Sequence, residues 1–252
     1  MNTSSTASEA GGFKALVLAG GRGKRLNEQT SGENKCLLRF GGKHLIQYSL
    51  DNAVQQKASE IVVVVGYLAE KIINKFGNSY KGTPLQYVIQ WEQRGLVHAI
   101  RCSRDALGDS DFLLLLGDEF LMDADRSLLI ETFNRTGAFA VCGVIGVDDV
   151  SQIRKTYSIL YDEDSKRILR LIEKPRNPPN RFMGTGNIMF SNGILDYIDS
   201  TPINQQRGEQ ELPDLIQCAI DDGREVLFCP VASTYVNVNT PEDALVIKTL
   251  TD

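Results

Sequence analysis

Gly20, Gly21 and Gly23 stand at the end of the apolar run Leu16-Val17-Leu18-Ala19, with Arg25 and Lys35 following. An apolar run that ends in small residues reads as a buried strand entering a tight turn. Glycines in such a turn let main-chain N–H groups approach phosphate oxygens with no Cβ in the way. Arg25 and Lys35 add fixed positive charge, so the segment suits a polyanion such as a nucleoside triphosphate. Spacing excludes two other phosphate loops. A Walker loop needs a glycine five residues before its Gly-Lys pair and a Ser or Thr after it. Here Leu18 stands at the first of those positions, ahead of Gly23-Lys24, and Arg25 at the second. A dinucleotide fingerprint needs a third glycine and an acidic residue closing the second strand. Leu26 and Gly66-Tyr67 occupy those places.

A second chemical feature is Leu113-Leu114-Leu115-Leu116-Gly117-Asp118-Glu119, which delivers two carboxylates at the exit of an apolar strand. Hard cations prefer oxygen ligands, so an acid at a strand exit beside phosphates is suited to Mg²⁺. Taken alone, such an aspartate also serves as a turn cap; its pairing with the glycine-rich turn favours the metal. Asp118 is the expected ligand, while Glu119 either ligates through water or is solvated. Glu173-Lys174-Pro175 follows a further strand-like run, and Pro175 fixes where the lysine emerges, available to a second phosphate or to solvent. A hydrolase is disfavoured, because the histidines are His44 and His98 only and no Gly-x-Ser-x-Gly elbow occurs.

The elements that must position these groups alternate. Strands are expected over Lys14–Ala19, Ile61–Val65, 85–90, Phe112–Leu116 and 138–147. Helices are expected over 44–56, Ala69–Phe76, 95–105 and Ser127–Thr136, where apolar residues recur at helical spacing. Pure β-branched or leucine runs such as Ile61–Val65 and Phe112–Leu116 mark strands buried on both faces. This βαβα order implies an α/β fold with a mostly parallel, right-handed, doubly wound sheet, and ligands then bind beyond the carboxyl ends of its strands. From Tyr157 the rhythm changes. Paired strands at 158–161 and 167–172 flank the polar turn Asp162-Glu163-Asp164-Ser165, and Phe182–Phe190 adds another strand. A helix at 212–222, a strand at 225–230 and a helix at 241–250 close the chain, with Thr240 as cap and Pro241 at the first helical position. No repeat or linker interrupts the pattern, so residues 13–252 read as one domain with an inserted antiparallel half covering the ligand.

The chain has 252 residues, 42% hydrophobic and 23% charged, with net charge −5. That length holds one large α/β domain or two small ones. The acidic balance argues against nucleic acid as the partner, since backbone binding relies on clustered basic residues. Cys36, Cys102, Cys142, Cys218 and Cys229 form no C-x-x-C pair and read as buried thiols of a reduced, cytoplasmic protein. Residues 1–12 are rich in Ser, Thr, Ala and Gly without an apolar stretch, and read as a flexible tail rather than a signal peptide. No apolar run approaches the roughly 18 residues of a membrane span.

Together these segments resemble the nucleotidyltransferases that join sugar 1-phosphates to nucleoside triphosphates on a GT-A-like fold. The resemblance runs over 14–250 and rests on 18–26 with Lys35, Gln90 with Gly95-Leu96-Val97-His98-Ala99, and Gly117-Asp118. It continues with Glu173-Lys174-Pro175, Gly184-Thr185-Gly186-Asn187, Gly208-Glu209-Gln210-Glu211 and Val236-Asn237-Val238-Asn239-Thr240-Pro241-Glu242-Asp243. It implies an NTP site of Leu18, Ala19, Gly20, Gly21 and Gly23, with Arg25 on the departing pyrophosphate and Lys35 on the α-phosphate. Gln90 and Gly95 would meet the nucleobase, and Asp118 would hold Mg²⁺, with Asn237 as the second metal position. Lys174 would grip the acceptor phosphate, with Glu173, Asn187 and Glu209 near its hydroxyls. His98, in the helix after the base contact, would serve packing or support the contact residues from behind.

Four residues depart from the family's usual pattern: Lys24 where threonine is common, Asn34 where proline precedes the lysine, Asn237 where many sugar-type members carry a metal-binding aspartate, and Asn239 in place of a glycine. An amide ligates through its oxygen but brings no charge. The Asn237–Asp243 ending is closer to molybdopterin-type and some cytidylyl-type relatives. The expected reaction is attack by an acceptor phosphate on the α-phosphorus with loss of pyrophosphate, on a sugar 1-phosphate, or in a cytidylyl variant on an alditol phosphate or small phosphonate. A glycosyltransferase would use an Asp-x-Asp motif, for which Asp123-Ala124-Asp125, a few residues past the strand exit, is the candidate, and a non-catalytic nucleotide-binding module is the remaining class. The partners expected are small anionic substrates, with neither nucleic acid nor membrane, and a homo-oligomer is compatible with the chain.

Overall fold

A computed structural model describes residues 12–21, 23 and 32–251. Residues 1–11 of the expected 1–12 tail, and the Lys24 and Arg25 positions, lie outside the described residues. The first half runs β1 (Lys14–Ala19), the hairpin β2 (Arg39–Phe40) and β3 (Lys43–His44), α1 (Leu45–Gln55), β4 (Ile61–Val65), α2 (Ala69–Phe76), β5 (Ser79–Tyr80) and β6 (Thr83–Ile89). It continues with α3 (Leu96–Cys102), α4 (Arg104–Leu107), β7 (Phe112–Leu116), β8 (Glu119–Met122), α5 (Ser127–Thr136) and β9 (Ala140–Gly146). The second half holds β10 (Tyr157–Tyr161), β11 (Ile168–Glu173), β12 (Phe182–Phe190), β13 (Ile203–Asn204), β14 (Glu209–Gln210) and α6 (Leu212–Asp221). It ends with β15 (Val226–Pro230), β16 (Thr234–Asn237) and α7 (Pro241–Thr251). No helix among the described residues is long and apolar enough to cross a membrane.

The centre of the main sheet is parallel, in the order β7-β1-β4-β6. Strands β4 and β7 are apolar throughout, and β1 is so after Lys14, because each feeds two cores. Leu16, Leu18, Val62, Val64, Leu114 and Leu116 point to a layer shared with α3, α4 and α6. Ala15, Val17, Ala19, Val63, Leu113 and Leu115 point to a layer shared with α1, α2 and α5. The two-residue alternation of a strand thus loads both faces with aliphatic side chains.

The expected helix over 95–105 is two helices. Buried Ser103 turns its Oγ to the Ile100 carbonyl at 2.7 Å and breaks the ladder there. The simple alternation also stops sooner than expected. Strand β9 does not extend the parallel set beside β7; β12, from the second half, is threaded between them, antiparallel to both. Residues 188–190 of β12 pair with β7, whereas Met183 pairs with β10, and β9 follows the other side throughout, itself parallel to β15. Between these two contacts the register shifts from Gly184 to Ile188, a bulge that frees Thr185, Gly186 and Asn187 from regular pairing.

Gly184 is fixed by a close approach at this bulge. A Cβ there would lie 2.1 Å from the Tyr157 ring, whose hydroxyl donates to the Thr185 carbonyl at 3.1 Å. Gly184→Ala is therefore expected to cost about 1–3 kcal/mol, as overpacking does. Urea unfolding checks this, and wild-type stability in the variant would show that the ring moves freely.

Candidate active site

Three strand exits and one hairpin surround a cleft of about 450 Å³. Along the side where a nucleotide is expected lie Leu18, Gly20 and Gly21 after β1, and Gln90 and Gly95 between β6 and α3. Gly95 sits at φ +88°, in the region that favours glycine, and a Cβ on it would meet Glu209 Oε2 at 2.6 Å. The hairpin of β13 and β14 therefore reaches across the cleft to the nucleotide loop.

Asp118 follows β7 at the floor, and its carboxylate lies 2.5 Å from Lys35 Nζ. Lys35 opens a short 3₁₀ turn, Lys35–Leu37, capped by Asn34, whose Oδ1 accepts from the Cys36 N–H at 2.9 Å. Asn34 also donates to the Tyr67 carbonyl at 2.6 Å, tying the turn to the exit of β4. Hence the residue in place of proline anchors the lysine by hydrogen bonds. Gly23 packs on this lysine, where a Cβ would come within 3.2 Å of Lys35 Cβ.

Asn237 reaches the same floor through a ribbon missed in the sequence. Strands β8 and β16 pair antiparallel, with Asn237 opposite Glu119, and the Val238 N–H donates to the Asp118 carbonyl at 3.0 Å. Asn239 Nδ2 donates to Asn237 Oδ1 at 2.9 Å, and Asn239 Oδ1 accepts from Lys35 at 3.3 Å. Asp118 and Asn237 are thus hard oxygen donors on one cleft. One carboxylate and one amide oxygen fit a Mg²⁺ ion that keeps waters and takes its other ligands from phosphate. Among the described residues no group of three or more His, Cys, Asp or Glu forms an all-protein cage.

Glu119 is neither a ligand through water nor solvated. It is 3% exposed and accepts from the Gly186 N–H at 3.0 Å, Asn187 Nδ2 at 2.9 Å and the Tyr235 hydroxyl at 2.6 Å. Asn187 is corrected with it: its amide is spent between Glu119 and buried Arg126, whose Nε donates to Asn187 Oδ1 at 2.7 Å, so it does not line the cleft. Strand alternation sends the Ala19 methyl into the opposite core layer, which leaves its main chain to face the turn.

Burial pushes the Glu119 carboxyl up to about 7 against the lowering effect of Tyr235, with Asp118 adding to the rise. Between its ordinary 4.5 and about 7, the folded chain therefore holds this proton while the unfolded chain releases it. Stability contributed by this group then falls as pH rises through that window. In Glu119→Gln, the difference in unfolding free energy between about pH 5 and about pH 7.5 is expected to move toward greater relative stability at the higher pH. Urea melts at both values check this, and an unchanged difference would contradict a proton held at Glu119.

The side where the acceptor is expected is a ring of alternating charge. Glu173 Oε1 lies 2.8 Å from Lys174 Nζ and 3.2 Å from Arg207 Nη1, and the same guanidinium is 2.7 Å from Glu211 Oε1. Burial, then the neighbouring Glu173, raises the Glu211 carboxyl. Lys174 has φ +43°, an unfavourable value for a lysine, held by its N–H bond to the Thr156 carbonyl at 2.7 Å. Arg207 was missed in the sequence although it directly precedes Gly208-Glu209, in a segment with no strand-like pattern. Asp123 and Asp125 do not reach the cleft: Asp123 accepts from Ser233 Oγ and Asp125 from Ser127. The Asp-x-Asp pair is thus spent on turns.

The structure gathers Leu18, Gly20, Gly21, Gln90, Gly95, Asp118, Glu173, Lys174, Glu209 and Asn237 on one cleft, with Lys35 ion-paired to its floor. A family model described as nucleotidyl transferase matches residues 14–236. The chain belongs to the nucleotidyl transferase family. As a member of it, the protein is an enzyme of nucleotidyl transfer. This nucleotidyl transferase is 33% identical over 232 residues to a UTP–glucose-1-phosphate uridylyltransferase, AglF, of Haloferax volcanii, covering 92% of this chain and 93% of that one. It is 30% identical to a glucose-1-phosphate thymidylyltransferase of Streptomyces griseus, covering 94% of this chain and 66% of the relative. Its fold matches a UDP-glucose pyrophosphorylase solved with UDP-glucose at TM-score 0.84, 18% identity, and 95% and 98% coverage.

Proposed function

We propose that this nucleotidyl transferase moves a uridylyl or thymidylyl group from UTP or dTTP onto a sugar 1-phosphate and releases pyrophosphate, with Mg²⁺ as cofactor. The observation that carries the reading is the Lys35–Asp118 pair, lying between the glycine turn on one side and the Lys174–Arg207 cluster on the other. The names of the two curated relatives, both acting on glucose 1-phosphate, support the acceptor class.

Under this reading Leu18, Gly20 and Gly21 carry the nucleotide, with its base at Gln90 and Gly95. Lys35 takes the α-phosphate and Arg25 the departing pyrophosphate. Lys174 and Arg207 exchange carboxylate partners for the acceptor phosphate, leaving Glu173 and Glu209 to accept from sugar hydroxyls. A phosphate monoester is already anionic near neutral pH, so its oxygen attacks the α-phosphorus in line without a general base. Catalysis then consists of bringing two repelling anions together and neutralising the charge that develops on the leaving group. Asp118, with the Asn237 amide oxygen, would hold the metal, which when bound neutralises phosphate charge.

The test is pyrophosphate release from the purified chain with Mg²⁺, glucose 1-phosphate and each common NTP in turn. Release that requires both substrates is expected with UTP or dTTP. Release from NTP alone, or from none of them, would overturn the reading.

A further inference from the structure

Gln90 is 4% exposed and sits directly after β6, its side chain at the nucleotide end of the cleft. Its Nε2 lies 3.2 Å from the Gly95 carbonyl oxygen and 3.0 Å from His98 Nδ1. A carbonyl oxygen only accepts, so the amide nitrogen must face Gly95. The amide oxygen consequently faces the other way, toward the glycine turn, where a Cβ on Gly20 would come within 2.9 Å of Oε1. Because Gln90 donates on this side, His98 Nδ1 must accept, which requires a neutral imidazole carrying its proton on Nε2.

The surroundings favour that state. His98 is half-buried, and burial followed by Arg94 and Arg101 lowers its tendency to protonate, against Glu92 acting in the other direction. The Cys102 thiol, 3.9 Å from both ring nitrogens, is pushed up by burial and brings no charge.

We propose that His98 is a positioning residue: it locks the Gln90 amide with its oxygen toward the base site, so that the site admits a uracil or thymine edge and turns cytosine away. Uracil and thymine present an N3–H donor to that oxygen. Cytosine presents a bare N3 acceptor, and two acceptors left facing each other in a buried site are costly. The inference deepens the proposed function and rests on it. It also assigns Gly20 a second duty, since a side chain there would displace the Gln90 oxygen.

The experiment measures kcat and KM for UTP, dTTP and CTP with glucose 1-phosphate and Mg²⁺ in wild type, His98→Leu and His98→Asn. Wild type is expected to favour UTP or dTTP over CTP by about 100-fold, the effect of leaving one buried polar group unpaired. His98→Leu, which offers no acceptor, is expected to narrow that preference about tenfold through KM for UTP, with kcat little changed. His98→Asn, whose amide oxygen can stand where Nδ1 did, is expected to restore it; a merely space-filling role predicts the reverse order, with leucine the better substitute. As a second arm, wild type is expected to reject UTP methylated at N3, and this arm decides the matter should His98→Leu not fold. Undiminished preference in His98→Leu, preference for CTP in wild type, or ready use of N3-methyl UTP would each overturn the inference while leaving nucleotidyl transfer intact. No pyrophosphate with any NTP in wild type would instead overturn the proposed function.

Discussion

Asp118→Asn is expected to remove nearly all magnesium-dependent pyrophosphate release and to leave the fold standing. The carboxylate is the charged oxygen donor at the cleft floor, and Asn237 contributes only an amide, so the substitution leaves two neutral donors for a dication. The expected loss in turnover is about 10³-fold, the upper range for removing one charge-stabilising group. The fold should persist because the main-chain carbonyl at 118 accepts from Val238 in either case, and an asparagine amide oxygen can still accept from the Lys35 ammonium that the carboxylate now pairs. Lys35 also retains the Asn239 oxygen at 3.3 Å. Turnover measured across a Mg²⁺ titration, beside a thermal melt, checks both halves. Full rate at limiting metal would mean that the acidic floor has another purpose.

Lys35→Ala and Arg25→Ala are each expected to lower turnover by about 10²-fold or more. For Lys35 the argument is geometric: its ammonium is nearly buried, packed under Gly23, and held by Asp118 at 2.5 Å. A fixed cation of this kind needs no reorganisation as charge develops, so its removal should fall mainly on kcat rather than on KM. For Arg25 the argument is its place in the glycine-rich segment, next to Lys24 and ahead of Lys35. Single-turnover measurements with saturating NTP separate the binding and chemical contributions. Near-normal turnover in both variants would contradict the triphosphate assignment.

The parallel heart of the fold was legible because its strands need no partner to be recognised. Ile61–Val65 and Phe112–Leu116 are apolar at every position, as only strands sandwiched between two helix layers can be. Phe182–Phe190 was likewise found with its observed bounds, but not its neighbours. Nothing local in its sequence says that it lies between β7 and β9, since register across a long chain separation is set by the assembled sheet. The same reason hid the β8–β16 ribbon, whose partners are more than a hundred positions apart. Glu119 shows how this reaches the site. Beside Asp118 in sequence it looked like a second solvent-facing acid, whereas three donors brought by β12 and β16 bury it. Arg207 lies in an irregular hairpin that carries no strand-like signal, and Asn187 joins Arg126 to Glu119, a link that only the assembled sheet makes.

The floor joins residues near both ends of the described chain, for Asn239 touches the lysine that pairs with Asp118. During synthesis, β1, β4 and β7 emerge in order and can collapse on their helices while the ribosome is still working. The β16 ribbon arrives far later, so a nascent chain can already offer a nucleotide cradle yet lacks the strand that finishes the floor. Turnover is therefore expected to begin only after residue 239 has cleared the exit tunnel and β16 has paired with β8.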